Sequence, residues 1–176
     1  MQKSLEEKMQ EVIDKQEIYE LTCRYARALD RVDKELLRAQ YHEDATDQRG
    51  FFSGKRDEFV EMAMSMITAC KATQHLLGQV NIDIEGDIAF GEAYFQAYHR
   101  MENEDGEEND FVLFGRYIDR YEKRNGVWKI AHRSMLCDFD RTDPAANVWS
   151  KSAPEALYGT RGVEDLSNQR EKMRVR

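Results

Sequence analysis

The hydrophobic pattern of this chain changes period once, and that change constrains the fold more than any other feature. From Ser4 to Leu29 the apolar residues Leu5, Met9, Val12, Ile13, Ile18, Leu21, Tyr25, Ala28 and Leu29 recur at helical steps. After Ala72, apolar and polar residues alternate through four strand-like runs. These are broken at Glu85-Gly86-Asp87, at Glu102 to Asp110 and at Asn125-Gly126. Helices first and strands second lack the alternation of a parallel βαβ sheet. The pattern predicts an α+β fold, a curved antiparallel sheet with helices packed on one face.

Within the helical half, the first helix ends near Asp30. A restart at Asp14 is written into the sequence, because Glu17 completes a capping box with it. Asp33 opens a short helix, Lys34 to Ala39, followed by a polar stretch from Tyr41 to Asp47. A third helix is expected from Asp57, as N-cap, to Lys71. Its Phe59, Val60, Met62, Ala63, Met66, Ile67 and Cys70 form a wide apolar stripe that reads as core. In the strand half, Asn125-Gly126 marks a tight hairpin whose central residues need positive φ, and the acidic stretch 102–110 reads as a solvated loop. Residues 1–143 are expected to form one domain. Residues 144–176 form a polar tail, with a weak helix around Glu164 to Met173, that docks on the domain or on a neighbouring subunit.

The 176 residues carry 26 Lys+Arg against 34 Asp+Glu, and the resulting net charge of −8 disfavours nucleic acid as a partner. No window of about eighteen apolar residues is present, and the charged first thirty residues do not resemble an export signal. Neither a membrane span nor export is expected. Cys23, Cys70 and Cys137 are too few and too widely spaced for a disulfide framework, so they read as reduced thiols of a cytoplasmic protein.

The run Ala89 to Arg100 can be read face by face. Ala89, Gly91, Ala93, Phe95, Ala97 and His99 share one face, and Phe111, Leu113, Gly115, Tyr117, Asp119 and Tyr121 share one face of the next run. Small side chains on a concave sheet either leave volume for a ligand or are filled by larger neighbours, and the pattern admits both. Among the histidines, His42 lies in the polar connection and His132 lies beside Arg133; both read as structural or exposed. His75, in Thr73-Gln74-His75, sits where the third helix gives way to a strand. That position suits a pocket mouth or a satisfied core histidine. Asp30 is equally open, as a turn former or an ion-pair partner.

Three segments together resemble the SnoaL-like branch of the nuclear-transport-factor-2-like superfamily: Arg24 to Asp30, Thr73-Gln74-His75, and the hairpin from Tyr121 to Ile130. The resemblance spans residues 8–140 and extends to the branch's lyases, namely scytalone dehydratase, hexachlorocyclohexane dehydrochlorinase and bile-acid 7α-dehydratase. It implies a cone of curved sheet with three helices on its concave face around a pocket. It also implies a catalytic Asp30–His75 pair with His99 as a second pocket histidine. Tyr25, Tyr117, Phe95 and Arg124 become substrate-contacting positions. Leu29, Asp47-Gln48-Arg49 and Tyr117 depart from the scytalone dehydratase pattern, so another bulky alicyclic or aromatic substrate is implied.

By this resemblance the chain is a lyase, a dehydratase that needs neither metal nor organic cofactor and takes a small hydrophobic molecule. Proton transfer of the ketosteroid-isomerase type uses the same parts. The superfamily also contains non-catalytic β subunits of ring-hydroxylating dioxygenases and simple binding modules, and fold does not choose among these. Val112, Phe114 and Ile118, on the face opposite the expected pocket, predict a homodimer or homotrimer.

Overall fold

The computed structural model describes residues 3–146 and 151–174. Three helices, α1 (Leu5–Asp30), α2 (Lys34–Ala39) and α3 (Arg56–Ala69), pack on a single six-stranded sheet of β1 (Tyr41–Gln48), β2 (Ser53–Lys55), β3 (Ala72–Glu85), β4 (Ile88–Glu102), β5 (Glu108–Arg124) and β6 (Val127–Pro144); β1 and β2 fall between α2 and α3, so the helices do not all come first as expected. The sheet order is β2-β1-β6-β5-β4-β3, antiparallel throughout except that β1 runs parallel to β6. The α+β class is as the period change predicts. No helix among the described residues is long and apolar enough to cross a membrane.

Helix α1 is continuous and starts one residue after Ser4. The Ser4 hydroxyl accepts from the Glu7 N–H at 3.2 Å, and the Glu7 carboxylate accepts from the Ser4 N–H at 2.6 Å. Asp14 does not restart it. That residue is buried, and its carboxylate takes Lys123 Nζ at 2.7 Å and the Trp128 indole N–H at 2.9 Å, a tertiary use of a side chain that locally resembles a cap. Ile18, Leu21, Tyr25, Ala28 and Leu29 are buried, whereas Leu5, Met9, Val12 and Ile13 remain exposed.

Two other boundaries move. Asp33 caps α2 as expected, accepting from the Leu36 N–H at 2.9 Å. Asp57, by contrast, lies inside the first turn of α3, paired with Arg38 and Arg56, and Lys55 holds the cap position. The helix stops at Ala69. The polar stretch 41–47 is strand β1, because its alternate residues Ala45 and Asp47 turn inward and pair with core partners. His42 therefore lies on β1 and bonds the Glu122 carbonyl at 2.8 Å.

The four expected runs are β3 to β6. Their hairpins turn at Gly86, at 103–107, and at Asn125 (φ 54°) and Gly126 (φ 78°). The acidic loop is thus shorter than the sequence suggested. On the outer sheet face, Arg116 is held by Glu92 and Asp138, and Phe114 stacks on Phe139. Val112 is buried within the chain itself.

The core contains an unusual polar cluster. Arg133 is wholly buried, its Nε and Nη2 each donating to Asp119 at 2.7 Å, with its guanidinium carbon 4.1 Å from the ring centroids of Tyr25 and Tyr117. Asp119 also accepts from the Tyr121 hydroxyl at 2.5 Å. Beside it Arg49 donates to Asp47 at 2.8 Å and to the Tyr25 hydroxyl at 2.8 Å. Two guanidinium groups facing two carboxylates keep this interior electrically neutral, which is what makes burying four charges tolerable.

Candidate functional site

The last residue of α1 is an aspartate, where a carboxylate meets the negative end of the helix dipole. Asp30 escapes that penalty by reaching to the edge strand. β3 pairs only with β4, so the outward N–H groups of β3 have no strand partner. Asp30 Oδ2 accepts one of them, the His75 N–H, at 2.8 Å, and Asp30 Oδ1 meets His75 Nδ1 at 2.8 Å. One carboxylate thereby fixes both the backbone and the ring of the same histidine.

This double contact assigns the tautomer. A carboxylate only accepts, so His75 Nδ1 carries the hydrogen and Nε2 keeps its lone pair. Nε2 has no hydrogen-bond partner among the described residues. Burial works to raise the Asp30 carboxyl, but the His75 hydrogen bonds and the Thr73 hydroxyl outweigh it and hold the acid below its ordinary range. Asp30 is therefore the anionic partner. The turn after it is strained, because Val32 sits at φ 54° where a glycine is usual, while its N–H and that of Asp33 close back on Leu29 and Ala28.

His99 lies on β4 opposite Thr73, which places it diagonal to His75 on the same face. Its ring stands edge-on to His75, centroids 5.4 Å apart. Burial, and then the neighbouring His75, push its pKa down to about 4, so it is neutral at pH 7. Its Nδ1 is buried without a hydrogen-bond partner among the described residues.

Asp30 and His75 open onto a cleft of about 560 Å³ between α1 and β3. Tyr19, Cys23, Ala26 and Arg27 of α1 line it, with Leu77 of β3 and with Asp165 and Ser167 of the tail. The structure brings Asp30, His75 and His99 together, but His99 is not among the residues that line the cleft, and the remaining sequence candidates lie elsewhere. Tyr25, Tyr117 and Phe95 are packed in the core, where Phe95 stacks on Tyr117 at 4.2 Å and Tyr117 on Arg133. Arg124, at the far end of β5, is exposed and paired with Asp44 and Glu122.

The small concave residues make room for large side chains instead of a ligand. A Cβ on Gly91 would come within 2.6 Å of the Tyr121 ring, and one on Gly115 within 2.9 Å of the Phe95 ring and 2.1 Å of the Leu136 backbone carbonyl. What the sequence reading missed is the cleft wall on α1. Its signal was present, since Tyr19, Cys23, Ala26 and Asp30 follow the four-three-four spacing of one helix face.

The tail completes the cleft through three short 3₁₀ turns, Gly162–Glu164, Leu166–Asn168 and Arg170–Met173, in place of the single weak helix expected there. Arg31 donates to the Thr160 carbonyl at 2.6 Å and to Asp165 at 2.8 Å. Arg161 Nη1 donates to the carbonyls of Ile67, in the last turn of α3, at 3.0 Å and of Cys70, the residue after it, at 2.8 Å, and its Nη2 lies 3.5 Å from the Thr73 hydroxyl. Hydrogen bonds from Ser167 hold the Asp165 carboxyl well below the usual range, aided by Thr160 and Arg31.

Comparison with known proteins agrees with this architecture. A crystal structure of a "Putative Scytalone Dehydratase" from Novosphingobium aromaticivorans superposes with a TM-score of 0.67 at 23% identity, covering 79% of this chain and 95% of that one. A hexachlorocyclohexane dehydrochlorinase from Novosphingobium barchaimii gives 0.69 at 15% identity, over 80% and 96% of the two chains. A protein with a cystatin-like fold from Nostoc punctiforme gives 0.58 at 23% identity, over 78% and 96%. At these identities the likeness establishes the fold. No curated protein matches the chain. Residues 10–134 match the SnoaL-like domain, and the chain accordingly belongs to that family of the nuclear-transport-factor-2-like superfamily.

Proposed function

We propose that this chain is a lyase that eliminates water from a small organic molecule held in the cleft between α1 and β3. The observation that carries the reading is the double contact of Asp30 with His75, which occupies Nδ1 and leaves Nε2 without a partner among the described residues, on a histidine that lines a cleft. His75 Nε2 takes a proton from a carbon made acidic by an adjacent carbonyl, and Asp30 stabilises the imidazolium that forms. The C–H and C–O bonds break, a carbon–carbon double bond forms, and the imidazolium returns its proton to the departing hydroxyl, which leaves as water. A single residue serves as base and then as acid, and no step calls on a metal or an organic cofactor.

His99 supports this arrangement by staying neutral beside His75, so that only one imidazole charges during the cycle. Tyr25, whose hydroxyl is held by Arg49 in the core, has no part in it. The similarity to a structure named for scytalone dehydratase and to a dehydrochlorinase, both eliminating by name, favours elimination over isomerisation.

The test is a panel of β-hydroxy ketones, esters and acids incubated in D₂O, followed for double-bond absorbance and for deuterium entry at the α carbon. Turnover that disappears in His75→Ala is expected. Deuterium exchange without dehydration would convert the assignment to an isomerase-type proton transfer. Neither reaction with any member would favour a binding module.

A further inference from the structure

We propose that the ligand carries a carboxylate, that Arg27 binds it, and that Ser167 and Asn168 of the tail occupy this guanidinium until the ligand replaces them. The inference deepens the elimination reading and rests on it for the reaction, though not for binding. Four charged side chains line the cleft, and three are committed. Asp30 belongs to His75, while Asp165 and Arg31 are paired at 2.8 Å. Arg27 alone meets no carboxylate among the described residues.

Its partners are neutral oxygens in a suggestive geometry. Arg27 Nη1 donates to Ser167 Oγ at 3.1 Å, and Nη2 donates to Asn168 Oδ1 at 2.5 Å. Two oxygens on the two terminal nitrogens of a guanidinium are where the two oxygens of one carboxylate sit in a fork. Hydrogen bonds between ions are roughly twice as strong as those to neutral acceptors, so a carboxylate displaces the hydroxyl and the amide. One unmatched cation selects a monoanion.

Distance then sets the size of the ligand. Arg27 stands one helical turn before Asp30, a rise of about 4.5 Å, on the cleft side of α1. A carboxylate on Arg27 therefore places a carbon only a few bonds away beside His75. Tyr19, Ala26 and Leu77 supply the apolar wall between them. The class is a compact hydroxy acid with a ring or short chain that also carries a ketone or ester carbonyl beside the reacting carbon, more polar than the hydrophobic ligand expected from sequence.

Benzoate and its neutral isostere benzamide are the probes, titrated into the full chain and followed by calorimetry and by backbone amide shifts of residues 160–168. Benzoate should bind at least tenfold more tightly than benzamide and shift the Ser167 and Asn168 amides. Arg27→Gln should lose at least tenfold. The double variant Ser167→Ala with Asn168→Ala should gain several-fold, because it removes the internal competitor while leaving Arg27 intact. Equal affinity for the two probes, an unchanged Arg27→Gln, or a weaker double variant would overturn the proposal. If Arg27→Gln fails to fold, the probe pair and the double variant decide the matter. Benzoate binding without turnover of any hydroxy acid would keep this subsite and remove the elimination reading. Turnover indifferent to the carboxylate would do the reverse.

Discussion

His99 meets His75 edge-on, at 5.4 Å between centroids and 88° between planes, and of the two rings only His75 is gripped by a carboxylate. His99 has its pKa lowered from 6.5 to about 4, so between those values the unfolded chain binds a proton that the folded chain refuses. Stability should fall as pH drops from about 6.5 to 4, by up to about 3 kcal/mol from this group alone. Denaturant unfolding of wild type and His99→Gln at pH 7 and pH 4.5 reads it directly. The variant should lose less stability on acidification, and an equal loss in both would remove His99 as the cause.

Catalysis should depend on His75 and Asp30 in different ways. His75→Ala should abolish turnover of any substrate found in the panel. Asp30→Asn should lower the rate by about 10² to 10⁴-fold, because the amide can donate to Nδ1 and so favour the wrong tautomer. Binding should survive both. A folded His75→Ala protein with near-full activity would displace the base to another residue.

Breaking the buried Arg133–Asp119 pair should be costly. Arg133→Met leaves the Asp119 carboxylate in the core with only the Tyr121 hydroxyl to answer it, a loss of about 3–5 kcal/mol. The double change Arg133→Met with Asp119→Leu should recover much of that, since no charge is then stranded. Chemical denaturation of the three chains gives both numbers, and a mild single variant would mean that water reaches this cluster.

Asp165 should control how tightly the tail holds to the body. Asp165→Asn removes the charge that Arg31 binds and weakens the turn at Ser167. Limited proteolysis should then cut the segment 151–174 faster while residues 3–146 stay protected. Because the Asp165 carboxyl lies well below the usual range, the wild-type tail should stay docked through the pH interval where ordinary aspartates protonate. Release near pH 4 would contradict that.

Much of the fold could be read from periodicity because its strands are long and its turns chemically explicit. Asn125-Gly126 and Gly86 supply the positive φ their hairpins need. Strand β1 was hidden because Thr46, Asp47 and Gln48 are polar for tertiary reasons: Asp47 is buried against Arg49 and Tyr41. Asp14 misled in the same way, its cap-like sequence serving Lys123 and Trp128 instead. At the site, Asp30, His75 and His99 were legible through family resemblance. Tyr25, Tyr117 and Phe95 were not placed correctly, since nothing local reveals that Arg133 fills the volume between two tyrosines. Asp165 and Ser167 could not be found at all, because a polar tail without periodicity gives no hint of where it docks.

The position of β6 in the sheet bears on how the chain is made. It is the last strand in sequence, yet it stands between β1 and β5, and it alone joins the β1–β2 edge to the meander. During synthesis α1, α2 and β1 emerge early and wait for more than eighty residues before Ile130 and His132 arrive to pair with Tyr41 and Thr46. Until then α1 can pack on β3, through contacts such as Asp30 with His75, but β1 and β2 have no strand to join them to the rest of the sheet. The β1–β2 ribbon is thus the part left with an open strand edge during synthesis, and the sheet is completed by the strand that arrives last.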